Sequence, residues 1–333
     1  MENIRALKLL IAFIIGVLFV TPIFSFAYEP HTTHKALTKE IVDIFNYYYK
    51  DRQISSVDKE LIMQGSVDED DGTRALHHFY DPVHAEGLVL GGTEFLAAKY
   101  WSQDTVAQAS IDPVFRQRMY GKLFGLFSSS SDFSWERAVY EYAWGDKERG
   151  LKTLGHILHL IEDMAVPDHT RNDAHPPYGD TILHQASPYE HWADKWNTEN
   201  IDIAQALIKE KKVPIFCNHL NSCFDLMALY SNQNFFSKDT IINSDYNLPQ
   251  IQSSITKIEK LNDGQFYNFI LNQDIYLARH VKVFDNKLGE LKEEYVLDDK
   301  DSLILKSYFS HLSKQAVLHG AGVMKLFFDE VAK

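Results

Sequence analysis

The stretch HLIEDMAVPDH, residues 159–169, decides how this chain is read. Its apolar residues have the spacing of a buried helix, yet it carries His159, Glu162, Asp163, Asp168 and His169 and is stopped by Pro167. On a helix, His159 and Asp163 are four apart and project from one face, where both can reach a single cation. Beyond Pro167 the turn brings a third nitrogen, that of His169, back toward them. Taken alone, an HxxxD pair more often describes a histidine hydrogen bonded to its aspartate on a half-buried face. The rest of the histidine inventory shifts that balance.

The chain has 15 histidines in 333 residues, and many sit in short acid-rich segments. His31 and His34 open the region after residue 27; Asp68, Asp70 and Asp71 precede His77, His78 and His84; His175, His184, Glu190 and His191 follow His169. Imidazole with carboxylate is the donor set zinc takes when thiolate is absent. Separate clusters of this kind point to more than one metal ion.

Working outward, the patterning is mostly helical. THKALTKEIVDIFNYYY places Ala36, Leu37, Ile41, Ile44 and Phe45 on one stripe. SWERAVYEYAWGDKERGLKTLGHILHLIEDM predicts a helix capped by Ser134, a break at Gly145, and a second helix to Met164. Pro188 suits the first turn of another helix, and SLILKSYFSHLSKQAVLHGAGVMKLFFDEVA predicts a long closing one. GSVDEDDGTRALHHFYDPVHAEGLVLGG, from Gly65 to Gly92, reads as loop. YLARHVKVF and LKEEYVL flank a turn and predict a small β-hairpin late in the chain. The expected fold class is all-α, as a single multi-helix domain with that one β excursion.

Composition bounds the rest. With 45% hydrophobic and 13% aromatic residues, the chain can bury a sizeable core. Residues 1–27 carry Arg5 and Lys8 ahead of an apolar run and end in Ser25-Phe26-Ala27, which reads as an export signal cleaved after Ala27; an uncleaved anchor helix is the alternative. Cys217 and Cys223 lie close together and, in an exported chain, predict one small disulfide loop. The formal charge of −13 becomes one unit more negative once Glu2, Arg5 and Lys8 are removed. A chain this acidic does not grip polyanions through surface lysines, which disfavours nucleic acid as a partner. No protein partner is indicated. NYYY and KLFFDE read as core packing, whereas FGLFSSSSDF, Phe124 to Phe133, is a candidate for touching a membrane surface.

These segments together, THKALTKEIVDIF, SVDEDD, HFYDP, HLIEDMAVPDH, SPYEHWAD and AGVMKLFFDE, resemble the zinc-dependent phospholipase C family, which shares its fold with the fungal single-strand nucleases. The resemblance runs from Tyr28 to about Glu330 and implies three zinc ions in a cleft of an all-α domain. It assigns Asp68, His78, His159 and Asp163 to the first ion. His34, a bridging oxygen of Asp163, and the amino and carbonyl groups of Tyr28 as mature first residue go to the third. For the second, His169 and Glu190 match, but Ala186 stands where the family places a histidine; His184 and His175 are the two candidates to replace it. Asp68 is the candidate general base, and Glu162 is expected to be solvated.

The family's headgroup-binding positions correspond to Glu69 and Ala75, so its aromatic cage is not reproduced. The HFYDP match and the exported, acidic character still favour lipid, and the resemblance then implies an exported phosphodiesterase that cleaves phospholipid to diacylglycerol and a phosphorylated headgroup. A nuclease or 3'-nucleotidase uses the same chemistry, and a zinc-stabilised helical protein without activity is the alternative of another class.

Overall fold

The computed structural model describes residues 30–111, 130–174, 187–241, 243, 245–246, 255–285, 290–297 and 301–333. Among these the chain is mostly helical, with eleven α-helices and two antiparallel sheets of two and four strands. The expectation of an all-α domain is corrected in that respect.

The central element explains the arrangement of the others. After a short π-helical turn at Pro30–His34 come α1 (Lys35–Tyr48) and α2 (Ser56–Asp68), then the short helices α3 (Ala98–Trp101) and α4 (Thr105–Ser110). Helix α5 (Trp135–Trp144) ends at Gly145, and α6 (Lys147–Asp163) follows at once. Asp146 caps α6 by accepting from the amides of Glu148 and Arg149, which meets two of the orphan donors at its start. From Gly150 to Asp163 all but Lys152 are buried. A helix buried all round must find partners for each polar side chain it carries inward.

Helix α6 lies against α1, α2, α5 and the closing helix α11 (Leu303–Glu330). The crossing with α2 is unusually close. A Cβ on Gly65 would run into the carbonyl of Lys152, and one on Gly155 into the carbonyl of Ile62. The remaining helices are α7 (Pro167–Thr170), α8 (Pro188–Ala193), α9 (Ile203–Lys209) and α10 (Leu220–Asn234). The predicted disulfide, Cys217–Cys223, is present at the start of α10.

The late hairpin belongs to a larger antiparallel meander: β3 (Ile255–Lys260), β4 (Phe266–Asn272), β5 (Ile275–Asp285) and β6 (Glu290–Val296), paired in chain order. The hairpin foreseen is β5–β6, with Arg279 opposite Val296. Its root is fixed to α11: the Tyr308 hydroxyl donates to the carbonyl of Leu277 at 2.7 Å, and Phe269, Leu271, Leu277 and Ala278 join the main core. The stretch read as loop from Gly65 to Gly92 contains the last turn of α2, a 3-10 turn at Gly72–His77, and the first strand of the two-stranded ladder β1 (Val89–Leu90) and β2 (Thr93–Glu94). Phe327 and Phe328 are core residues, as KLFFDE suggested. Phe133 stacks on His156 with ring centres 3.9 Å apart, while Phe124 to Ser129 lie outside the described residues.

Candidate metal centre

Asp163 is the hub of the site, at the last position of α6 and fully buried. One turn earlier His159 faces the same way, with its Nε2 3.4 Å from Asp163 Oδ2. His78, at the end of the 3-10 turn, brings Nδ1 to 3.2 Å from that same oxygen. Asp70 completes the group: its Oδ1 is 3.4 Å from His78 Nδ1 and 3.7 Å from His159 Nε2. Each of these four atoms lies 3.2 to 3.7 Å from two of the others. A tetrahedral ion with bonds of about 2.0–2.1 Å needs edges of about 3.3–3.4 Å between its ligands. Asp70, His78 and His159 form one buried group able to hold a metal ion, and Asp163 Oδ2 lies beside both of its imidazoles.

Hydrogen bonding supports the same conclusion. Among the described residues, both ring nitrogens of His78, Nε2 of His159 and both oxygens of Asp163 make no hydrogen bond although they are buried. Leaving such a group unsatisfied costs about 1–3 kcal/mol each, and a bound cation removes that cost for those that ligate it.

Asp163 also serves a second site. Its other oxygen, Oδ1, lies 3.4 Å from Nε2 of His34, whose ring stacks on that of His159 with centres 3.7 Å apart. His34, His159 and Asp163 form a second group able to hold an ion. A third pair stands nearby: His169 Nε2 is 3.2 Å from Glu190 Oε1. His169 is held by α7, its Nδ1 donating to the carbonyl of His78 at 3.0 Å and its ring stacked on Phe79. The HFYDP and HLIEDMAVPDH segments are joined directly, since the amide of Tyr80 donates to the carbonyl of His169.

The electrostatics suit a cation. Burial, followed by the carboxylates of Asp70, Glu190, Glu162 and Glu69, pushes the Asp163 carboxyl well above its ordinary range. Burial and neighbouring imidazoles drive His34 and His78 well below theirs, and burial takes His159 down to about 3. Neutral imidazoles and crowded acids are what a divalent cation would reconcile.

Several sequence expectations are corrected here. Asp68 is outside the cluster: it ends α2, only partly buried, and accepts from Gln64 one turn back at 2.6 Å. Asp70 stands in its place, because the chain leaves the helix after Asp68 and turns inward. Glu69, the headgroup position, lies behind the cluster, its Oε1 3.9 Å from His78 Nε2. It is wholly buried, paired with Arg74 at 2.6 Å, and accepts from Trp101 Nε1 and His156 Nδ1. Burial raises its carboxyl, but Arg74 and His156 outweigh that and hold it at about 2. Ala75 is core. Glu162, expected to be solvated, is fully buried against His34 and Thr38. His31 and His191 are exposed. Tyr28, His175 and His184 lie outside the described residues.

Asp81, His84 and Glu86 form a separate acid–imidazole group. Asp81 is occupied by the amides of Val83 and His84, the His84 ring and the Tyr246 hydroxyl, which makes it a turn-fixing residue.

Comparison with known proteins finds no matching family model and no matching curated protein. The reading of the site rests on its own geometry.

Proposed function

We propose that this chain is an exported zinc-dependent phosphodiesterase of the phospholipase C type, acting on phospholipids. The observation that carries the proposal is that Asp163 faces two sets of imidazoles, Oδ2 toward His78 and His159 and Oδ1 toward His34. Imidazole and carboxylate without thiolate is a zinc donor set, and donor groups sharing a carboxylate suit a multi-ion phosphodiesterase. The motif resemblance supplies the reaction class and the disulfide agrees with export.

Zinc ions held there would supply positive charge to the non-bridging oxygens of a phosphodiester and lower the pKa of a water. The chain's own residues do the rest. Asp163 and His34 hold one end of the site, Asp70, His78 and His159 the centre, and His169 with Glu190 the far end. Asp70 takes the general-base role first given to Asp68: it presents Oδ1 to the imidazoles, and a carboxylate's second oxygen can orient a water and accept its proton. The acidic balance of the chain gives little purchase for a polynucleotide and favours a lipid substrate.

The test is a metal count on the purified mature protein beside hydrolysis of phosphatidylcholine, phosphatidylglycerol and single-stranded DNA. More than one zinc per chain, with lipid turnover abolished by chelator and restored by zinc, is the expected result. Cleavage of DNA alone assigns the nuclease branch. Tightly held metal with no turnover of any substrate assigns a structural role to the ions.

A further inference from the structure

Of the four histidines at the site, His34, His159 and His169 have a hydrogen-bond partner on the outward nitrogen. Nδ1 of His159 is 2.7 Å from the carbonyl of Ser66, and Nδ1 of His169 is 3.0 Å from the carbonyl of His78. A carbonyl only accepts, so both rings carry their proton on Nδ1 and turn Nε2 inward. His34 has an acid instead: Nδ1 lies 2.6 Å from Glu162 Oε2, and the other oxygen, Oε1, accepts from the Thr38 hydroxyl at 2.7 Å. Glu162 is fully buried, next in sequence to Asp163. Consecutive residues on a helix point about 100° apart. One dipeptide at the end of α6 thus sends Asp163 to the donor cluster and Glu162 behind the ring of His34.

We infer that Glu162 is a positioning residue for the His34 end of the site: it accepts a hydrogen bond from Nδ1, fixes the ring so that Nε2 faces Asp163 Oδ1, and makes that imidazole a stronger donor toward a divalent cation. A carboxyl partner, held on its other oxygen by Thr38, distinguishes this ring from the two held by carbonyls. An acid hydrogen bonded behind a ligating histidine raises its basicity and locks its tautomer. Thr38, on α1 with His34 at its N-terminus, holds the carboxylate in that orientation. This inference rests on the metal-site reading proposed above but not on the identity of the substrate.

The experiment uses zinc-loaded mature protein as wild type, Glu162→Gln and His34→Ala. Glutamine keeps the shape and can still accept from Nδ1, but cannot ionise. Zinc is titrated against a chromophoric chelator, and the His34 ring nitrogens are followed by long-range proton–nitrogen correlation. Glu162→Gln is expected to weaken one class of zinc about 10- to 100-fold. The same class should be lost in His34→Ala, while the ion held by Asp70, His78, His159 and Asp163 stays. The wild type should show His34 protonated on Nδ1. Wild-type affinity for every ion in Glu162→Gln overturns the inference, and so does an Nε2-protonated His34. The tautomer measurement is made on the wild type, so it decides the matter even if the variant does not fold. A wild type that binds zinc and shows this pattern but hydrolyses no phosphodiester sinks the enzyme reading and leaves the role of Glu162 intact.

Discussion

At the scale of single residues, the outcome turns on one step along SVDEDD. The helical period that relates Asp68 to Gln64 holds only as far as α2 runs, and α2 ends at Asp68. Beyond that point a carboxylate's direction depends on a backbone path that periodicity does not describe, so the resemblance names Asp68 where the structure puts Asp70 beside His78 and His159. His159 and Asp163 were legible because they share one regular helix; Asp70 and Glu162 were not. Glu162 was expected to be solvated because it points off the face of its neighbours, yet α6 is buried all round and that side faces His34. The consequence is a sharp contrast between two substitutions of one type. Asp70→Asn should lower phosphodiester turnover by about 100-fold or more and weaken zinc, whereas Asp68→Asn should leave both near wild type. Steady-state rates with a chelator competition decide it, and equal losses in the two variants would return Asp68 to the site.

At the scale of elements, the helices were legible from their stripes and caps, with α5 and α6 meeting at Gly145 as the sequence suggests. The sheet was only partly so. IYLARHVKVFD and ELKEEYV flank a turn and announce β5 and β6, but ITKIEK and FYNFILN are short and mixed in polarity, and nothing in them states that they pair with each other and with β5. The close crossing of α2 and α6 was also beyond sequence reading, because two isolated glycines in helical patterns do not declare that they face partner backbones. That crossing sets the site: Gly155 lies one turn before His159, and His159 Nδ1 reaches the carbonyl of Ser66 on α2 at 2.7 Å. Gly155→Ala pushes a methyl into the Ile62 carbonyl and must separate the helices. Such overpacking costs about 1–3 kcal/mol, read as a lower urea midpoint. Because the His159 bond spans the same gap, zinc affinity should fall with it. A variant with wild-type affinity and stability would show that the crossing does not position the ligand.

At the scale of the whole molecule, the buried site couples folding, protons and metal. His34, His78 and His159 are depressed by burial, so the unfolded chain takes up their protons first as pH falls below about 6.5. Their contribution to stability is present above that value and lost as pH drops through the folded one, about 3 for His159. Asp163 has the opposite sign. Its folded value is raised, first by burial and then by Asp70, Glu190 and Glu162, so its contribution is complete below its ordinary range and is lost as pH rises through the raised value. In the metal-free protein these linkages oppose each other, one penalising acid and the other penalising neutrality. A divalent cation needs neutral imidazoles, which the fold already provides, and an ionised Asp163, which it does not. Burial raises the neighbouring Glu162 carboxyl as well, so zinc binding should release protons from Asp163 and Glu162 and none from the three rings. Its affinity should weaken about tenfold per pH unit for each proton released, over the range below Asp163's raised value. Calorimetric titration with zinc in two buffers of different ionisation enthalpy measures those protons directly. Chelation at neutral pH should lower the melting temperature, and zinc should restore it by mass action. A zinc affinity that does not change between about pH 5 and 8 would mean that Asp163 is not the shared ligand.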